Sequence, residues 1–185
     1  MIKSEKKINV LVITAVLSAL VFASNFISIP IPVAIGSITR IHLGNSVCIL
    51  AGLILGPIGG GLAAGIGSAL YDLTNPVYIA SAPFTFCFKF ILAMIPGLLM
   101  MKAKSNKLAF GIIGAILGQI AYIILYLSKS YFQGILEGSA PEALMPSIVT
   151  KLGTSLTNAI IAVIISNLLY NVVVMSLKKS KLIKD

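Results

Sequence analysis

Residues 40–72, RIHLGNSVCILAGLILGPIGGGLAAGIGSALYD, decide how the rest of the chain is read. Small residues recur at every fourth position through Gly52, Gly56, Gly60, Ala64 and Ser68, and a second file runs through Gly61, Gly65 and Ala69. Such files let helix backbones approach closely where water supplies no driving force, which places them inside a membrane bundle. The Gly56-Pro57 pair predicts a turn between two short apolar helices, so both ends of the stretch emerge on one side of the bilayer. Polar groups stand only at those ends, with Arg40, His42 and Asn45 at the entry and Asp72 and Asn75 at the exit. That side is the candidate binding face.

Composition agrees. The 185 residues are 58% hydrophobic and 10% charged, with a mean hydropathy of +1.04, values of an integral membrane protein rather than a soluble domain. A span needs about 20 apolar residues, and the chain holds about six such segments, some short. A formal charge of +9 in a soluble chain would point to nucleic acid. Here the lysines cluster between apolar spans, so the positive-inside rule accounts for them and no nucleic-acid partner is expected. The sequence has no P-loop, no nucleophile elbow, no zinc-protease motif and no paired acids, which leaves no catalytic residues and no means of hydrolysing ATP. No cofactor is implied. Cys48 and Cys87 lack metal-ligand spacing and read as ordinary buried thiols, and the lone His42 does not make a metal site.

The expected fold is an all-α membrane protein, a six-helix transmembrane bundle forming one domain over 1–185, with spans at about 8–28, 43–55, 58–73, 83–101, 108–132 and 146–177. The run MIKSEKK followed by apolar residues resembles a signal peptide, but its apolar part is longer than a signal core and is kept as the first span. Residues 29–39, with Pro30 and Pro32, are expected to be extended and to form a lid over the bundle mouth. Residues 133–145 are expected to be an outer loop. Lys3, Lys6 and Lys7, then Lys102, Lys104 and Lys107, then Lys178, Lys179, Lys181 and Lys184 mark one face, which predicts that both termini are cytoplasmic.

Ionisable groups inside a membrane mark a site by default. Lys89 falls about 9 Å into its span at 1.5 Å per residue, and Lys151 lies at a matching depth beside Thr154 and Asn158. Two cations at one level next to hydroxyl and amide groups predict a polar cavity. Asp72 reads either as an ion-pair partner for Arg40 or a lysine, or as a ligand acceptor. Gln119, Tyr122, Tyr126 and Lys129 form a polar stripe on the fifth span.

These features resemble the substrate-binding (S) components of energy-coupling factor (ECF) transporters, bacterial importers of vitamins and related micronutrients. The resemblance covers almost the whole chain. It rests on the length, the span count, the small-residue face Ala15-Val-Leu-Ser-Ala19 of the first span, and the passage IHLGNSVCILAGLILGPIGGGLAAGIGSALYDL. It implies a bundle in the bacterial plasma membrane, surrounded by lipid, that captures a small vitamin-like ligand from outside. Transport would then need a membrane coupling protein and two ABC ATPases, with Ala15, Ala19 and Ala23 as the face docking on the coupling protein. Carried onto this chain, the expected binding residues are Arg40, Asn45, Asp72, Asn75, Tyr78, Lys89, Gln119, Tyr122, Lys151, Thr154 and Asn158. Three cations against one acid modestly favour an anionic ligand. The competing reading is a solitary ion-coupled carrier in which Asp72 or His42 titrates, although no convincing inverted repeat is found. A membrane enzyme lacks the acids or the His-Asp pair it would need.

Overall fold

The computed structural model of the chain describes residues 2–33 and 38–179. The tip of the expected lid, 34–37, and Lys181 and Lys184 lie outside the described residues.

Helix α1 (Ile2–Ser24) ends short of residue 28 because Asn25 turns its side-chain amide back onto the Val21 carbonyl, 2.7 Å away. Pro30 and Pro32 then keep the backbone extended, as the sequence predicts. The extended segment is paired. β1 (Ser28–Pro32) and β2 (Ile38–His42) form an antiparallel hairpin with Ser28 opposite His42 and Pro30 opposite Arg40. With two prolines that cannot donate, β1 can only be an edge strand.

Helix α2 (Gly44–Leu73) is broken at Gly56, which takes φ 75° and ψ −171°. Only glycine enters that region cheaply, and Pro57 cannot continue the ladder. The two arms fold against each other. A Cβ on Gly60 would strike the Gly52 backbone, and Cys48 Sγ lies 3.6 Å from Ser68 Oγ. The small-residue files therefore bring the arms together and also admit α3 (Ala82–Lys102). Gly52 receives the Ala93 carbonyl, and Gly61 and Gly65 receive the rings of Phe90 and Phe86. This explains the alternating phenylalanines. Phe86 and Phe90 stack side by side toward α2, while Phe84 and Phe88 face a cavity. Pro83 sits in the first turn of α3, where its missing N–H costs nothing, and the helix runs on through the buried Pro96.

Helix α4 (Lys107–Leu136) is capped by Asn106 in left-handed conformation, and helix α5 (Pro141–Lys179) follows. The outer loop expected at 133–145 is thus mostly helical. Pro141 supplies a favourable first-turn start, and Pro146, taken from sequence as the start of the last span, lies inside α5 instead. The core joins all five helices through Val21, Cys48, Ile49, Leu53, Ala64, Leu92, Ala93, Ala115 and Ala162. Cys48 is a buried thiol, but Cys87 is exposed on the outside of α3.

Four segments are long and apolar enough to cross a membrane, Gly44–Leu73, Ile79–Lys102, Lys107–Leu136 and Pro141–Val173, beside the shorter apolar Ile8–Ser24. Large apolar side chains such as Leu11, Val16, Ile112, Ile120, Ile124, Ile160 and Leu168 point outward, the reverse of a soluble bundle. This is an all-α membrane protein carrying one small hairpin.

Candidate ligand-binding site

A cavity of about 510 Å³ opens at one end of the bundle, within the range of small-molecule sites. It is bounded by β2, the last turn of α2, the first turns of α3, the C-terminal half of α4 and the N-terminal half of α5. Those are the ends at which the sequence concentrates its polar groups.

One wall is built around Arg40. Its Nη2 lies 3.4 Å from Asp72 Oδ1, and its guanidinium packs on the rings of Tyr71 at 4.1 Å and Tyr78 at 4.6 Å. Asp72 Oδ2 also accepts from Thr85 Oγ1 at 2.5 Å. The ion-pair reading of Asp72 is the one observed. Arg40 Nη1 is buried and has no partner, which leaves a donor available at the wall.

Strand β2 is held by α5. Asn158 accepts from His42 N–H and donates to the Arg40 carbonyl, both at 2.9 Å, so one amide side chain does the work of a neighbouring strand. Thr39 and Thr154 hydroxyls meet at 3.2 Å. His42 Nδ1 accepts from Gly44 N–H at 3.1 Å. Burial first, then the nearby charges of Lys89 and Arg40, holds the imidazole well below its usual pKa, so the ring is neutral. Among the described residues no three His, Cys, Asp or Glu side chains gather as metal ligands would.

The floor belongs to Lys89, which is 3% exposed. Its Nζ donates to Asn45 Oδ1 and stands 4.1 Å over the Tyr122 ring. Asn45 passes a hydrogen bond to Gln119 Oε1 at 3.3 Å, and the Gln119 amide nitrogen is buried without a partner. No carboxylate reaches Lys89, since among the described residues the recorded ion pair is Arg40–Asp72. Nearer the mouth, Lys151 donates to Ser130 Oγ at 3.4 Å and Lys129 to Ser81 Oγ at 2.9 Å.

Of the expected residues, Arg40, Asp72, Tyr78, Lys89, Tyr122, Lys151 and Asn158 line the cavity. Asn45, Gln119 and Thr154 stand behind that lining and support it. Asn75 does not reach it; its Oδ1 closes a local turn by accepting from Val77 N–H at 3.0 Å. Sequence reasoning passed over Thr85, Tyr126 and Lys129, all of which line the space. Tyr126 and Lys129 belonged to the stripe already recognised on α4, where Tyr122 and Tyr126 lie with rings parallel within 3°. That stripe was the available signal. On α1, Ala15, Ala19 and Ala23 are exposed, while Ile13, Leu17 and Val21 on the opposite face are buried.

The chain matches the family described as "ECF-type riboflavin transporter, S component" over residues 5–174. A protein of Pyrococcus woesei described only as "Uncharacterized protein in gap 3'region" is 31% identical over 115 residues, covering 61% of this chain and 72% of that one. No solved structure matches the chain.

Proposed function

This chain belongs to the family of ECF-type riboflavin transporter S components, and from that premise we propose that it captures riboflavin from outside the cell in the cavity described above. With the arms of α2 counted separately, six spans form a single integral domain with both termini cytoplasmic. The lysines at 102, 104, 107 and 179 then face inward. Import is driven by partners, a membrane coupling protein and two ABC ATPases. The alanine face of α1 supports this, because Ala15, Ala19 and Ala23 leave a flat exposed strip against which another membrane helix can pack.

The observation that carries the ligand reading is Lys89: a buried cation with no carboxylate, facing a cavity edged by Phe84, Phe88, Tyr122 and Tyr126. Burying such a charge is costly unless something polar meets it, and aromatic walls suit a flat ring. The apolar ring lies deep, with its carbonyl edge toward Lys89 and Arg40. The hydroxyl-bearing ribityl chain lies toward Lys129, Ser130 and Lys151. Riboflavin is uncharged, so the cations serve as hydrogen-bond donors, and the anionic ligand favoured from sequence is set aside. The solitary-carrier reading loses its titrating groups, because Asp72 is engaged by Arg40 and Thr85 and His42 by Gly44.

The test is equilibrium binding to the purified chain without ATP, followed by quenching of flavin fluorescence, together with uptake into vesicles. Saturable binding by the chain alone and uptake only with the energising module present are expected. Concentrative uptake by the chain alone would contradict the partner requirement.

A further inference from the structure

The charges facing the cavity are unevenly distributed with depth. On the wall, Arg40 and Asp72 neutralise each other. At the mouth, Lys129 and Lys151 share the opening with Glu137, which is exposed and accepts from Gln133 at 2.7 Å. His42 is neutral. Among the described residues none of Lys89, Lys129 and Lys151 has an ion-pair partner, but of the three Lys89 alone is buried, held by a neutral amide and the face of a phenol ring.

A flavin changes charge at one edge when it is reduced. The oxidised ring takes two electrons and one proton at N5, and near neutral pH the product carries its negative charge over N1 and the adjacent C2 carbonyl. A cation near that edge favours the reduced form. An ammonium already stripped of water gains more from an incoming anion than a solvated one does, because its own desolvation has been met in folding.

We infer that the cavity binds two-electron-reduced riboflavin more tightly than oxidised riboflavin, with Lys89 as the residue that sets the preference. The inference rests on the flavin reading above. By linkage, differential affinity appears as a shift in midpoint potential, and a tenfold preference corresponds to about 30 mV for a two-electron couple.

The test is a spectroelectrochemical titration, with mediator dyes, of riboflavin bound to the purified full chain, beside free riboflavin in the same detergent. The bound midpoint is expected to be more positive by about 30 mV or more, a preference of about tenfold or greater. Lys89→Gln should remove the shift, Lys89→Arg should keep it, and Lys104→Gln, exposed and away from the cavity, should keep it too. Should Lys89→Gln fail to fold, the wild-type midpoint decides alone. It is checked by comparing affinities in air and under anaerobic dithionite. A bound midpoint equal to or more negative than that of free riboflavin overturns the inference while leaving riboflavin as the ligand. Absence of oxidised-riboflavin binding to the wild type removes both together.

Discussion

Replacing Asn158 by Leu tests whether α5 holds the wall of the cavity. The amide makes both of its hydrogen bonds to β2, to His42 N–H and the Arg40 carbonyl. Leucine keeps the volume and leaves both backbone groups unpaired. Each unmet buried group costs about 1–3 kcal/mol, but Asn158 lines the cavity and water entering there restores part of the loss. A net cost of about 2–3 kcal/mol follows, or an opened strand about 30- to 150-fold more populated at 1.4 kcal/mol per tenfold. Amide hydrogen exchange resolved to the His42 N–H reads this directly, because its recorded partner is the Asn158 oxygen. Riboflavin affinity is expected to fall as well, since the Arg40 guanidinium is placed by the same strand. Thr157→Ala, on the exposed side of the same helix, should change neither. Unchanged exchange in Asn158→Leu, or acceleration spread evenly over all the helices, would refute the reasoning.

Other perturbations address the bundle, the partner face and acid sensitivity. Gly52→Ala places a methyl against the Ala93 carbonyl and should cost about 1–3 kcal/mol, whereas Gly153→Ala on α5, with nothing near it, should be neutral or stabilising by up to about 1 kcal/mol; thermal unfolding in detergent separates them. Ala19→Trp on the exposed face of α1 should leave riboflavin binding to the isolated chain intact and abolish uptake with the energising module. His42 has a folded pKa well below 6.5, so below about pH 6.5 the unfolded chain binds a proton that the folded chain refuses. Stability should therefore be full above that pH and fall by up to about 1.4 kcal/mol per pH unit as the solution is acidified toward the folded pKa. Thermal unfolding by circular dichroism from pH 4.5 to 7.5 should show this fall, flattened in His42→Gln.

Features set by local chemistry were legible in the sequence. Gly56-Pro57 forces a break wherever it stands, and the helices on either side have no lipid-compatible alternative to packing through their small residues. Lys89 and Lys151 stood out because charge inside an apolar span needs a reason. What escaped was non-local. Nothing near residue 158 says that its amide serves a strand more than a hundred positions earlier, with |i−j| of 116 and 118. The sequence predicts an extended lid here without its partner strand, because its prolines forbid helix but do not announce a pairing. The loop expected after α4 is overextended because Pro146 reads as a helix start, whereas Pro141 already provides one and the helix continues through Pro146 despite the lost backbone bond and the crowding of the preceding turn.

The central claim is that the cavity edged by Lys89 and the α4 stripe opens outward and is filled by riboflavin. Ser130→Cys in a Cys87→Ser background puts one reactive thiol on the cavity lining, with Cys48 buried. A membrane-impermeant thiol reagent added outside right-side-out vesicles should label that position, and saturating riboflavin should protect it. Labelling that riboflavin leaves unchanged, or that occurs only from the cytoplasmic side, would contradict the account.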